Sequence, residues 1–309
     1  MTDRIDYDEF GLFHENVEEY GLTFAGPPVV RRVFVEVAAG RQLSALVWKD
    51  RDPELVLLHG GSQNAHSWDT LAIALDRPLV AIDLPGHGHS DGPGEQFQGH
   101  WSAQGDAADV AAAIRQLAPK ANAVVGMSLG GLTTIALAVK APHLVRKVVL
   151  VDILPGIKSA RAKHIADFVN GPSSFASLDE LLERTTRFNP SRSASSLRRG
   201  ILHNAEQQPD GTWVWRWARH RIRSSQASQP EAAAVRHDEL WDTLSSITVP
   251  LLLARGMRPD SVLGDEDEQE LRARLPSAQV IHVEHAGHSL QGDTPLELAT
   301  LIQRFVFDS

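Results

Sequence analysis

Cysteine is absent from the 309 residues, which excludes disulfides, thiol catalysis and cysteine-ligated zinc or iron–sulfur centres. Long apolar runs are absent too. No stretch of about 18 such residues occurs, and no basic segment leads into an apolar one at the start, so neither a transmembrane helix nor a signal peptide is expected. The cytoplasm is the expected location, with no membrane partner. Positive charge is scarce: 30 Lys and Arg face 39 Asp and Glu, a net charge of −9. With a pI near 5.8, nucleic acid is not expected as a partner. Internal repeats and low-complexity tracts are missing as well. A length of 309 residues with 42% hydrophobic content suits one α/β core carrying an insertion.

Gly126, Ser128 and Gly130 form a G-x-S-x-G pentapeptide. Ala123-Val124-Val125 before it reads as a short buried strand. Leu132, Ile135, Ala136 and Val139 after it recur at helical spacing until Pro142. A serine at a sharp strand-to-helix turn is strained and tolerates only small neighbours, which the two glycines supply. The turn lifts the hydroxyl clear of the sheet and sets the Leu129 amide at a helix N-terminus, where it can donate to a developing oxyanion.

A serine hydroxyl needs a base to take its proton and an acid to orient that base. The alternating segment Ile281-His282-Val283-Glu284-His285 leads into Ala286-Gly287-His288. His288 is the candidate base and His285 the fallback. The apolar run Pro250–Gly256 ends just before Asp260, the favoured acid, with Asp265 and Asp267 in the same loop. Asp152, which ends the strand after the serine helix, is the alternative acid. No H-E-x-x-H helix or third ligand accompanies the two histidines, so no metal site is expected.

Four motifs in order give this chain a resemblance to the α/β-hydrolase fold superfamily over nearly its whole length. They are Leu57-Leu58-His59-Gly60-Gly61-Ser62, the turn Asp83-Leu84-Pro85-Gly86-His87-Gly88-His89-Ser90, the serine elbow, and Ala286-Gly287-His288. The resemblance implies an α/β fold with a mostly parallel eight-stranded sheet flanked by helices. It also implies a Ser128, Asp260, His288 triad, an oxyanion hole from the Gly61 and Leu129 amides, and no cofactor. The long elbow-to-acid spacing implies a largely helical cap over residues 154–240. The core then covers 29–153 and 241–309, behind an N-terminal arm over 1–28 that is laid on the core or partly disordered. Asp83, His87 and His89 are expected to shape their turn, and His59 to support its loop.

The strand pattern agrees with that fold. Val33–Val37 and Leu43–Trp48 around Gly40 read as a hairpin. The runs Leu55–Leu58, Leu79–Ile82, Ala123–Val125, Val148–Asp152, Leu251–Ala254 and Val280–Val283, separated by helical patterns, predict parallel strands. Active residues belong at their carboxyl ends.

Within 155–240, 13 Lys or Arg stand against 9 Asp or Glu, so the inserted region is cationic in an otherwise acidic chain. A solvated arginine-rich surface accounts for this more simply than an anion-binding face. Trp213, Trp215 and Trp217 alternate and would share one face of a strand, either docking the cap or lining a substrate pocket. Trp215, Trp68 and Ser62 are the candidate pocket residues. The resulting expectation is a serine hydrolase of a small or medium carboxylic ester, or a related lactone or amide, with a small molecule as its partner. A carbon–carbon bond hydrolase and a receptor that retains the triad are the alternatives. A serine at the elbow and the confinement of tyrosine to Tyr7 and Tyr20 set aside the family's epoxide hydrolases and haloalkane dehalogenases.

Overall fold

The computed structural model describes residues 5–23, 26–92, 103–157, 159–217 and 239–308. Its centre is a sheet of eight strands: β1 (Val30–Ala38), β2 (Arg41–Trp48), β3 (Leu55–Leu58), β4 (Leu79–Ile82), β5 (Ala123–Met127), β6 (Val148–Val151), β10 (Leu251–Gly256) and β11 (Gln279–Val283). They lie in the order β1-β2-β4-β3-β5-β6-β10-β11. The hairpin β1–β2 and the β2–β4 pair are antiparallel; β4, β3, β5, β6, β10 and β11 run parallel.

Every residue of β3, β4, β5 and β6 is buried, as strands covered on both faces must be. Period-two alternation sorts their side chains between two cores. Val56, Leu58, Val80, Ile82, Val148 and Leu150 face one cluster; Leu55, Leu57, Leu79, Ala81, Val149 and Val151 face the other. Helices α3 (Ala103–Leu117) and α4 (Leu129–Lys140) contribute Ile114 and Ile135 to the first core. Helices α2 (Asp69–Leu75) and α11 (Pro295–Phe307) contribute Leu71 and Ile302 to the second.

The chain between β6 and β10 carries α5 (Ser159–Val169), α6 (Leu178–Phe188) and α7 (Ala194–Asn204), with the short strands β7 (Ser174–Phe175), β8 (Ala205–Gln207) and β9 (Trp213–Trp215). These strands form a separate antiparallel sheet in the order β7-β9-β8. Trp213, Trp215 and Trp217 are buried with Phe175, Leu181 and Ile201 in a third apolar cluster, so the alternation does put the indoles on one side. A helical segment α8 (239–245) returns the chain to the core, followed by α9 (Asp265–Arg274) and the short α10 (Leu290–Asp293). Among the described residues no helix is long and apolar enough to cross a membrane.

Residues 5–23 lie across both parts and hold a helix, α1 (Phe13–Tyr20). Phe13 packs on Trp48 at 5.2 Å between ring centroids. The Ile5 amide donates to Gln207 Oε1 (3.1 Å), and Glu15 and Glu19 accept from Ser195 and Ser193 at the start of α7 (2.9 and 2.6 Å). Arg199 of α7 pairs with both glutamates, and the Tyr20 hydroxyl donates to the Gly292 carbonyl at 3.1 Å.

Candidate active site

Ser128 sits between β5 and α4 with φ 50° and ψ −117°, a left-handed conformation that an L residue adopts only under constraint. The constraint is steric. A Cβ on Gly130 would stand 2.2 Å from the Leu58 carbonyl oxygen, and one on Gly126 would stand 2.4 Å from the Gly130 carbonyl oxygen. The elbow is therefore wedged against the end of β3 with no room for a methyl group. The Gly130 amide donates to the His59 carbonyl at 3.1 Å, which ties the serine turn to the loop after β3. In that loop a Cβ on Gly60 would come within 3.2 Å of the Ser128 Cβ, so the Gly60-Gly61 main chain passes directly beside the serine.

His59 holds this loop from below. Its Nε2 accepts from the Leu84 amide at 3.0 Å and its Nδ1 lies 2.7 Å from the Gly60 carbonyl, which fixes the proton on Nδ1. Burial lowers its pKa, overcoming the neighbouring Asp83, so the ring stays neutral. His87 plays a matching part, with Nε2 accepting from the Ser62 amide at 3.1 Å. Asp83 accepts from the Ala65 amide (2.7 Å), Arg32 (2.9 Å) and the His89 amide (3.1 Å). Burial opposes its charge, but Arg32 and these donors hold its carboxyl below the usual range. All three groups shape turns, as the sequence leads one to expect.

The acid beside His288 is Asp152. Its Oδ2 lies 2.9 Å from His288 Nδ1, and the carboxylate also accepts from the Gly256 amide (3.0 Å), the Ser261 hydroxyl (2.7 Å) and the Val262 amide (3.1 Å). Both Asp152 and His288 are buried. With Nδ1 donating to the carboxylate, the neutral imidazole keeps Nε2 as its free acceptor. Asp152 itself is at φ 45°, the second left-handed non-glycine residue at the carboxyl end of a central strand.

Asp260 does not meet the expectation placed on it. It is exposed and pairs with Arg258 at 3.2 Å, and its carboxyl lies against Gly287 while the imidazole Nδ1 is taken by Asp152. The reason lies in the loop after β10: its next residues, Ser261 and Val262, fold inward to bind Asp152, which sets that carboxylate, and not Asp260, on the imidazole. Asp265 pairs with Arg255 and Asp267 accepts from the Gly264 amide at the start of α9, so neither is near His288. His285 is exposed.

A cleft of about 190 Å³ lies between the loop after β3, the loop after His288, α1 and α7. Ser62 and Gln63 of the β3 loop line it, with Ser289 and Gln291 from the loop after His288, Asn204 of α7, Trp215 of β9, and Asn16 and Tyr20 of α1. Ser62 and Trp215 are thus cleft residues. Trp68 is not: it is wholly buried in the second core, under α2. Its neighbours His66, Ser67 and Asp69 line the cleft, while the 3-10 turn Ala65–Trp68 directs the indole inward.

Gln63 and Gln291 carry no motif, yet they couple the two functional loops. Gln63 Oε1 accepts from the Gly60 amide and from Gln291 Nε2, each at 3.2 Å. Asn204 donates to the Ser62 carbonyl at 2.5 Å, joining α7 to the same loop. Asn16 and Tyr20 reach the cleft from the arm, and only their contacts over long sequence distance reveal them.

With this geometry in hand, the chain belongs to the alpha/beta hydrolase family, whose model matches residues 55–301. It is 39% identical to the esterase Rv0045c of Mycobacterium tuberculosis, over 96% of this chain and 95% of the relative. Two solved structures of that esterase, one from a study of its transition metal inhibition, match with a TM-score of 0.82 at 38% and 37% identity, covering 99% of this chain and 100% of theirs. It is also 29% identical to the 2-(acetamidomethylene)succinate hydrolase of Mesorhizobium japonicum, over 84% of this chain and 89% of that one.

Proposed function

We propose that this hydrolase cleaves small or medium carboxylic esters through an acyl-enzyme on Ser128, with His288 as base and Asp152 as the acid of the triad. The observation that carries the reading is the buried His288–Asp152 hydrogen bond of 2.9 Å at the sheet end where Ser128 is held in a strained elbow. The likeness to the Mycobacterium esterase supports the same activity.

His288 Nε2 takes the Ser128 proton as the serine oxygen attacks the ester carbonyl, and Asp152 balances the imidazolium and keeps its tautomer. The carbonyl electrons move onto oxygen, where the Leu129 amide at the N-terminus of α4 and the Gly61 amide donate to the oxyanion. The tetrahedral species collapses, the alcohol leaves with the proton from His288, and an acyl group remains on Ser128. Water, deprotonated by the same imidazole, then releases the acid and restores the serine. The residues 154–240 act as a cap over the cleft, with Ser62 and Trp215 as pocket walls. The cleft's volume of about 190 Å³ suits a short acyl chain against Trp215.

Hydrolysis of p-nitrophenyl esters from acetate to laurate, with Ser128→Ala in parallel, tests the reading. Turnover that falls with chain length and disappears in the variant is expected; turnover equal in both proteins would refute it.

A further inference from the structure

Behind the cleft, outside the triad, two histidines and an aspartate converge from different parts of the chain. His66 comes from the turn after β3, Asp69 from the start of α2, and His203 from the end of α7. All three are buried and all border the cleft. His66 Nδ1 is 2.8 Å and His203 Nε2 is 3.8 Å from Asp69 Oδ2; one ligand atom from each lies within 4.8 Å of the other two. Asp69 Oδ1 is buried without a hydrogen-bond partner.

We infer that His66, Asp69 and His203 form a binding site for a divalent transition-metal ion of the zinc, nickel or copper type. Two imidazoles and one carboxylate suit such ions, whereas magnesium and calcium favour all-oxygen sets.

The surroundings support the assignment. A ligating histidine needs its other ring nitrogen held by a hydrogen bond. Here His66 Nε2 lies 3.2 Å from the Glu9 carboxylate, and His203 Nδ1 lies 2.6 Å from the Tyr7 hydroxyl. Both outer partners come from the N-terminal arm. Arg32 lies 3.3 Å from His66 Nε2, but its charge is paired by Glu9 and Asp83, and Arg199 is engaged by Glu15 and Glu19. The ion replaces the proton now shared between His66 and Asp69, which leaves to solvent. The two rings stack 3.8 Å apart at 10°, so their in-plane lone pairs run nearly parallel, and coordination requires the rings to tilt until the ligand atoms converge at bonds of about 2.0–2.1 Å.

Equilibrium dialysis of the full chain against Zn²⁺, with diffraction at the zinc absorption edge from crystals grown in Zn²⁺, tests the site without passing through hydrolysis. One ion per chain is expected, with an anomalous peak between His66, Asp69 and His203. His203→Gln and Asp69→Asn should weaken binding at least tenfold, Tyr7→Phe about tenfold, and His288→Gln should leave it intact. Unchanged affinity in folded His203→Gln and Asp69→Asn overturns the inference. So does a wild-type peak at His288 and Asp152 alone, or no peak, whatever the variants do.

Discussion

Asp152 and His288 are 136 residues apart in the chain and 2.9 Å apart in space. They meet because β6 lies between β5 and β10, with β11 next. The carboxyl ends of four neighbouring parallel strands thus present serine, acid, loop donors and histidine side by side.

Replacing each candidate acid separates the two. Asp152→Asn should lower kcat/KM for a p-nitrophenyl ester by about 10³–10⁴-fold, because the amide cannot hold the imidazole in its working tautomer. Asp260→Asn, at an exposed site paired with Arg258, should change it by no more than about twofold, since surface pairs of this kind contribute little. Steady-state kinetics on both variants checks this, and a reversed order would return Asp260 to the triad.

The elbow's packing gives a stability contrast. Gly130→Ala forces a methyl group to 2.2 Å from a backbone oxygen, whereas the same change at Gly61 meets nothing within 4 Å. Overpacking costs about 1–3 kcal/mol, and a domain of this size loses about 2–4 °C per kcal/mol. Thermal unfolding of Gly130→Ala should therefore begin several degrees lower, while Gly61→Ala melts with the wild type.

Asp106, in the first turn of α3, gives a pH effect. Burial, and then the charge of Asp109, raise its pKa from 3.8 to about 8 against the pull of Arg41. An acid whose folded pKa is raised binds its proton more tightly in the folded state. Stability from this group is therefore full below the unfolded value of 3.8, falls as pH rises toward 8, and is level above it. Asp106→Asn should remove that decline. Melting curves from about pH 5 to about pH 8 should show a flatter profile for the variant and a higher midpoint at the upper end; parallel profiles would contradict the assignment.

Much of the fold was legible because central parallel strands are written as unbroken apolar runs: Leu55–Leu58 and Leu79–Ile82 match β3 and β4 residue for residue. The serine elbow and the histidine turn were legible because each needs glycine at a fixed offset. The choice of acid was not, because two aspartates follow the ends of adjacent strands, and only the inward fold of Ser261 and Val262 decides between them. Trp68 illustrates the same limit, since an indole eight residues past Gly60 reads alike as wall or core. The arm was hardest: Tyr7, Glu9, Asn16 and Tyr20 gain their meaning from partners 50 or more residues away, apart from the Glu9–Arg32 pair.

The central claim is that Ser128 carries the acyl group, and active-site labelling tests it most directly. The protein is treated with a fluorophosphonate and the peptide spanning 121–140 is examined by mass spectrometry. A single adduct on Ser128, formed in step with loss of esterase activity and slowed by about 10³-fold or more in Asp152→Asn, is the expected result. Complete inactivation with the adduct on another residue, or undiminished hydrolysis by protein fully labelled at Ser128, would contradict it.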